Sequence, residues 1–279
     1  MKKYLSAYTP SLGELWLVIL ALLCLGGSLV IAIVMVILRQ FIEVDLSVLL
    51  LALYPLTFSV VIPFVWIRAK RSYEEKSIKG EPIPQESPSF GSLPAPILFL
   101  LLLVLTVSFG ILIEPLTMWM NMPDFMKEIS RIIGSHGWLS FLSLVVMAPL
   151  LEEWLCRGVI LKGLLNRGYS PAVAIVWSAS MFGVMHMNPY QAIPAFLVGL
   201  LLGWIYWRTR SLWTVIFIHA VNNGISVALT RFFPDIPDDI TTYDLVGPAY
   251  YYWIFATALL LTLSIVYLLH KKLSYHRAP

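Results

Sequence analysis

The sequence predicts an all-α polytopic membrane protein, a bundle of about eight transmembrane helices with one additional amphipathic helix at the interface. Of its 279 residues, 59% are hydrophobic and only 13% are charged, whereas soluble domains carry about 25% charged residues. The apolar residues form segments long enough to cross a bilayer, which takes about 20 residues. This composition excludes a soluble globule and a disordered chain, and a net charge of +3 gives no reason to expect a nucleic-acid partner.

Eight apolar segments are predicted to span the membrane, which places both termini on the same side. All but four of the 19 lysines and arginines fall on that side, the exceptions being Arg39, Lys127, Arg131 and Arg231. Since cytoplasmic loops are enriched in these residues, we expect both termini to be cytoplasmic. The opposite side gathers acids such as Asp235, Asp238, Asp239 and Asp244. The segments lie near Leu15–Leu38, Val48–Trp66, Ile97–Ile113, Trp138–Leu161, Pro171–His186, Ile193–Trp207, Leu212–Leu229 and Tyr250–Leu269.

The chain divides into three regions by composition. Residues 1–137 contain the N-terminal membrane helices, 138–229 a helical core with the polar motifs described below, and 230–279 an outer loop, the final span and a basic cytoplasmic tail. Within the first region, Ser72–Pro96 is rich in proline and charge, which predicts a cytoplasmic linker without a core. Residues 122–136 alternate apolar and charged side chains at helical spacing, which predicts an amphipathic helix lying in the interface.

Two glutamates and an arginine interrupt the fourth apolar segment. Charges inside a membrane are costly and mark functional sites by default. Glu153 and Arg157 are four residues apart, so their side chains can meet on one face of a helix. Glu152 is turned about 100° away from Glu153 by the helical period, which leaves its carboxylate available for chemistry. The alternative interpretation is a structural ion-pair cluster near the cytoplasmic end.

The fifth segment carries His186, with Phe182 one turn earlier where it would cover one side of the imidazole. A lone histidine in an apolar span is usually a hydrogen-bonded packing residue, but its depth suggests more. In a hairpin centred near Tyr169, Glu152 and His186 each lie 17 residues from the centre. We therefore expect the two side chains at the same depth.

The seventh segment carries His219 with Asn223 four residues later and Asn222 close to the same face. His219 lies ~13 Å from its own turn and Glu152 ~25 Å from its turn at the helical rise. The two depths match only if the hairpin of the fourth and fifth segments extends ~10 Å further into the cytoplasm. That extension is a requirement of the predicted arrangement.

These side chains together suit peptide-bond hydrolysis inside a membrane cavity. A carboxylate can take a proton from water while a histidine orients that water or protonates the leaving amine. A second histidine and an asparagine can donate hydrogen bonds to the oxyanion. Neither a His-Glu-x-x-His zinc motif nor a Gly-x-Ser-x-Gly elbow is present in the sequence.

The three motifs, in order on successive apolar segments, resemble those of the CPBP family. This family contains the CAAX-prenyl endopeptidases and their bacterial relatives, also called Abi-type membrane proteases. The resemblance covers roughly Trp138 to Leu229 and rests on Glu-Glu-x-x-x-Arg (Glu152, Glu153, Arg157), Phe-x-x-x-His (Phe182, His186) and His-x-x-x-Asn (His219, Asn223). It implies an eight-helix, glutamate-dependent intramembrane protease whose site opens to the cytoplasm.

The resemblance also implies roles for the residues. Glu152 would activate the water with help from His186, and His219 and Asn223 would form the oxyanion hole. Glu153 and Arg157 would shape the site, with Phe182 and Asn222 in support. No cofactor or metal is expected, although Glu152, His186 and His219 could together ligate zinc with an open position for water.

The expected partners are membrane lipids and a membrane-associated or lipidated peptide or protein, in a bacterial inner or plasma membrane. Two other functions use the same residues. The chain could be a catalytically silent scaffold or bacteriocin-immunity protein. It could also be a proton-coupled transporter with these residues as a relay, although the sequence lacks the inverted halves of many transporters.

Overall fold

The computed structural model describes residues 2–43, 45–84, 87–116, 118, 120–236 and 240–273. Within these residues the chain is helical and contains no β-strand, as an all-α membrane protein requires. Asp238, Asp239 and Arg277, which the charge argument used, lie outside the described residues.

We number ten helices in chain order within the described ranges. A short α1 (Lys2–Ala7) precedes the bundle, and α5 (Asp124–Ser135) occupies the predicted amphipathic segment. Seven helices are long and apolar enough to cross a membrane, and α7 (Pro171–Val184) is apolar but has only 14 residues. The seven are α2 (Glu14–Leu38), α3 (Val48–Lys79), α4 (Ala95–Leu116), α6 (Gly137–Asn166), α8 (Pro189–Thr209), α9 (Leu212–Phe232) and α10 (Thr242–Lys272).

All eight predicted segments are therefore helical, and the all-α membrane fold is confirmed. The fifth is shorter than a span because the chain leaves the helix before His186: α7 ends at Val184, and Met187 adopts a left-handed φ of 54°. The final helix begins before the predicted Tyr250, at Thr242, where Thr241 and Asp244 form a capping box. Its backbone is kinked at Gly247, which has a φ of 75° and separates this first part from the long span.

The predicted linker at Ser72–Pro96 begins too early. α3 continues to Lys79 and ends at Gly80, which has a φ of 69°, because exposed ion pairs between residues four apart support its last turns. The shorter linker is also attached to the bundle, since the amide of Ser89 bonds the carbonyl of Thr209 and the amide of Ser92 bonds that of Lys272. Phe90 packs against the hydrophobic core, so the expectation of a linker without a core is wrong.

One end of the bundle, called the terminal end, holds α1, the linker, the α6–α7 and α8–α9 turns and the end of α10. Lys162 of α6 donates to the Ser6 hydroxyl, and Arg167 donates to the carbonyl of Thr9. The opposite or distal end holds α5, the α7–α8 turn and the α9–α10 connection, where Arg231 donates to the carbonyl of Gly134. The helices alternate in direction between these ends, which brings Lys2 and Leu273, the first and last described residues, to the terminal end.

Helix α3 is broken in the middle of its apolar run. Pro55 lacks a backbone N–H and disrupts helical hydrogen bonding, and Tyr54–Phe58 forms a tight 3₁₀ turn. Gly27 of α2 packs directly against this break: a Cβ atom there would lie 2.4 Å from the carbonyl oxygen of Thr57. Only glycine permits this contact, so α2 holds the break in place.

Candidate functional site

Glu152 and Glu153 are both buried at the centre of α6. Arg157 donates to Oε1 of Glu153 at 2.7 Å and to the carbonyl of Gly199 at 3.0 Å, and both side chains of the ion pair are fully enclosed. The α8 backbone comes this close because Gly199 has no side chain: a Cβ would lie 3.1 Å from Ala179. The helical spacing therefore gives the expected Glu153–Arg157 pair, with Glu152 turned elsewhere.

His219 of α9 lies between the two glutamates. Its Nδ1 is 2.9 Å from Oε1 of Glu153, and its Nε2 is 3.8 Å from Oε2 of Glu152. Since the Glu153 carboxylate accepts from Nδ1–H, Nε2 is the ring nitrogen that faces Glu152. Oε2 of Glu152 is buried and has no hydrogen-bond partner among the described residues.

The depth requirement is met by the predicted extension of α6. Gly158 faces Leu212, the first residue of α9. From that level α6 continues for eight more residues to Asn166, or ~12 Å at the helical rise. The turn that ends α6 therefore lies further toward the terminal end than the turn that begins α9. This difference brings His219 and Glu152 to the same depth.

Phe182 is the common neighbour of the ionisable groups. The Arg157 guanidinium lies 4.7 Å from its ring centroid, and the rings of His186 and His219 approach edge-on at 5.2 and 5.4 Å. A cation over an aromatic face is favourable, and edge-to-face contacts are a preferred geometry. The Phe182 ring therefore packs against Arg157 and both imidazoles, while Arg157 and His219 also meet at Oε1 of Glu153.

His186 lies just beyond the end of α7 and is half-buried. Its Nδ1 is 2.9 Å from the carbonyl oxygen of Phe182. A carbonyl only accepts, so Nδ1 carries the proton and Nε2 is an acceptor in the neutral ring. His186 lines the same cavity as Glu152. The lone pair of its Nε2 is available to accept a hydrogen bond.

Asn223 and Asn222 contribute amides from α9. Nδ2 of Asn223 donates to the carbonyl of Leu144 at 2.9 Å, and Nδ2 of Asn222 lies 3.4 Å from Oδ1 of Asn223. These two contacts fix which end of the Asn223 amide carries the hydrogens, one of which is not used by Leu144. Asn223 lines the cavity of Glu152, whereas Asn222 lines a separate one.

Sequence reasoning missed Tyr54. Its hydroxyl donates a hydrogen bond to Oε1 of Glu152, although the N-terminal half of the chain contains none of the three motifs. The available signal was the Tyr54–Pro55 pair inside an apolar span, because a proline there breaks the helix and leaves neighbouring polar groups to find other partners. Thr57 supports the break by donating to the carbonyl of Tyr54.

The site faces a cavity of about 380 Å³, within the size range of ligand pockets. Its wall combines the polar groups above with apolar side chains from α2, α3, α5, α6, α9 and the α7–α8 turn, including Leu23, Phe58, Ile129, Ile133, Leu144, Met185, Met187 and Val227. The cavity extends from Glu152 toward the distal end. The expectation that the site opens to the cytoplasm depends on the orientation of the chain in the membrane, and it stays a prediction.

The residues do not fit a metal site. In the described part of the chain, no group of three or more His, Cys, Asp or Glu side chains converges to hold an ion. Each candidate ligand already has one polar atom in a hydrogen bond. Oε1 of Glu152 accepts from Tyr54, Nδ1 of His219 donates to Glu153, and Nδ1 of His186 donates to the carbonyl of Phe182. The alternative of zinc bound by Glu152, His186 and His219 is thus not supported by this arrangement.

The fold and the site together define a multi-pass membrane protein with an ionisable cluster enclosed by its helices. Residues 134–225, about a third of the chain, match the family described as type II CAAX prenyl endopeptidase Rce1-like. No curated protein and no solved structure matches the chain. The match of this segment supports the CPBP family of CAAX-type membrane proteases, which is the family that the three motifs resemble.

Proposed function

We propose that the protein is an intramembrane endopeptidase that hydrolyses a peptide bond in a membrane-associated or lipidated substrate, with Glu152 as the general base. The observation that carries this proposal is the pairing of Oε2 of Glu152 with Nε2 of His219, 3.8 Å apart across a cavity. Two polar atoms at this separation can share one water molecule. The family match of residues 134–225 supports the same class of reaction.

In the proposed reaction, a water bound beside Glu152 attacks the carbonyl carbon of the scissile bond. Glu152 accepts the proton of the water as the new C–O bond forms, and His186 orients the water through Nε2. The carbonyl oxygen becomes an oxyanion, which accepts hydrogen bonds from the Asn223 amide and from Nε2–H of a doubly protonated His219, whose Nδ1–H stays on Glu153. When the tetrahedral intermediate collapses, the C–N bond breaks and Glu152 passes the proton that it took from the water to the leaving amine.

Glu153 and Arg157 act as positioning residues. Their buried ion pair holds the Nδ1 side of His219, so that Nε2 keeps its orientation toward Glu152. Asn222 orients the Asn223 amide, and Tyr54 holds one oxygen of Glu152 so that the other faces His219. This division of roles follows the contacts that each residue makes.

The test is a quantitative comparison of membrane proteins from cells that carry the parent chain or Glu152→Gln. We expect Glu152→Gln to abolish cleavage, so that uncleaved precursors accumulate and their products disappear, since a general base contributes about 10²–10⁴-fold. Glu128→Gln is the matched control, because Glu128 is an exposed acid on α5. Identical membrane proteomes for parent and Glu152→Gln would contradict the proposal.

The same variants separate the alternatives. A proton-coupled transporter would give ion flux in liposomes that depends on Glu152 and would produce no peptide fragments. A silent scaffold or immunity protein would retain full biological function in Glu152→Gln. Loss of both cleavage and function in this variant excludes these two alternatives together.

A further inference from the structure

The catalytic cavity is closed toward the terminal end of the bundle. On α6, every apolar residue on the core side after Glu152 is almost fully enclosed, and Leu155, Ile160 and Leu164 have 0% exposure. Val215 and Ile218 of α9 and Val61 and Val65 of α3 are equally buried against them. Packing of this density leaves no route for a peptide to reach Glu152 from the terminal end.

The cavity extends in the other direction along the two helices that carry Glu152 and His219. Helix α6 runs toward the terminal end and contributes Leu144, Ala148 and Glu152 to the cavity wall. Glu152 is the one of the three that lies nearest the terminal end. Helix α9 runs the opposite way, and His219 is the first of its lining residues, with Ser226 two turns further. Glu152 and His219 are thus at the floor, and the remaining lining residues of both helices lie on the distal side.

The distal mouth is accessible. Met187 at the α7–α8 turn is 73% exposed, and Ile129 of α5 is 46% exposed. Ser226 and Gln191 are also exposed and line the cavity from opposite walls. Helix α7 has only 14 residues, or ~21 Å of length, so its turn with α8 does not reach as far as the neighbouring helices and leaves room at this end.

We propose that the substrate peptide enters from the membrane face opposite the chain termini, which the charge distribution makes the extracytoplasmic face. Of the basic residues that the structure describes, all but Arg39, Lys127, Arg131 and Arg231 lie toward the terminal end, and such an excess marks the cytoplasmic side. The mouth combines apolar side chains such as Met187 and Ile129 with the uncharged polar Ser226 and Gln191, and the carboxylate of Glu152 lies deeper. The substrate class is therefore an extended apolar peptide segment anchored in the membrane and presented outside the cytoplasm.

This inference rests on the proposed peptidase function for the substrate, but the direction of access is tested independently. Single cysteines at Ser226→Cys and Gln191→Cys report on the two walls of the mouth. Ser77→Cys, on an exposed turn of α3, reports on the terminal end. The parent chain, which has Cys24 and Cys156, gives the background of labelling with a membrane-impermeant maleimide.

In intact cells we expect Ser226→Cys and Gln191→Cys to be labelled above the parent background and Ser77→Cys to remain unlabelled. In inverted membrane vesicles the pattern should reverse. Labelling of the mouth cysteines from the same side as Ser77→Cys, or only after detergent is added, would overturn the proposal. Two mouth positions are used so that a folding defect in one variant does not decide the result.

A cleavage assay then separates access from chemistry. The protein is placed in sealed liposomes of known orientation, and a water-soluble fluorogenic peptide with apolar residues is added outside. We expect cleavage when the distal end faces outward, loss of cleavage when the terminal end does, and equal rates after detergent is added. Equal rates in both sealed orientations would overturn the proposed entry route, whereas no cleavage even in detergent would count against the peptidase function and leave the labelling result to decide access.

Discussion

Tyr54 donates a hydrogen bond to Oε1 of Glu152 across 98 positions of sequence. This contact joins the two halves of the chain, since Glu152 belongs to the segment with the family match and Tyr54 does not. It leaves Oε2 of Glu152 directed at His219, 3.8 Å away. The N-terminal helices therefore have a direct role in shaping the proposed active site.

Tyr54→Phe should lower kcat while leaving KM nearly unchanged. The variant keeps the ring and removes the hydroxyl, and a hydrogen bond to a charged group contributes about 1.5–3 kcal/mol. This corresponds to a loss of about 10–100-fold in rate. The measurement is steady-state cleavage in detergent, with Tyr252→Phe as the control because Tyr252 is largely exposed. An unchanged kcat for Tyr54→Phe would show that Glu152 does not depend on this hydrogen bond.

Arg157→Met should destabilise the protein as well as inactivate it. It leaves the fully enclosed carboxylate of Glu153 without its cation, and breaking a buried pair in this way costs about 3–5 kcal/mol. Thermal unfolding in detergent checks this, with Arg131→Met as the control, since Arg131 is in an exposed pair with Glu128. Equal melting temperatures for the two variants would mean that the buried pair does not stabilise the fold.

Gly27→Ala should lower both stability and activity. The added methyl group would lie 2.4 Å from the carbonyl oxygen of Thr57, so α2 must move away from the break that carries Tyr54. Overpacking of this kind costs about 1–3 kcal/mol. Gly110→Ala in α4 is a matched control, because nothing lies within 4 Å of its added Cβ. A Gly27→Ala protein as stable and active as Gly110→Ala would refute this packing argument.

Removal of metal ions should leave cleavage unaffected. The described side chains include no group of three or more donors able to hold an ion, and the proposed base acts on water directly. Dialysis against a strong chelator followed by the cleavage assay is the measurement, with a zinc peptidase treated in parallel to show that the chelator works. Loss of activity that is restored by added zinc would contradict the glutamate mechanism.

The sequence predicted the helices and the local pairs of the site well, because both depend on residues close together in the chain. The four-residue spacing of Glu153 and Arg157 predicted their ion pair. The hydropathy of the chain predicted the membrane-spanning helices. Two expectations failed for a common reason. The end of α3 at Lys79 depends on exposed ion pairs that hydropathy ignores, and the attachment of the linker depends on carbonyls at the ends of α8 and α10.

What the sequence determined by itself is the identity of the acid, the imidazoles and the amide, and the class of membrane fold that carries them. A periodic pattern specifies which face of a helix is polar, because that face is fixed by the helix's own geometry. The tertiary structure alone decided that Tyr54 reaches Glu152, that Glu152, His186 and His219 do not form a three-ligand metal site, and that the cavity is closed at the terminal end. Each of these depends on how close different helices approach, and that distance is set by the packing of side chains such as Gly27, Gly199 and Phe182.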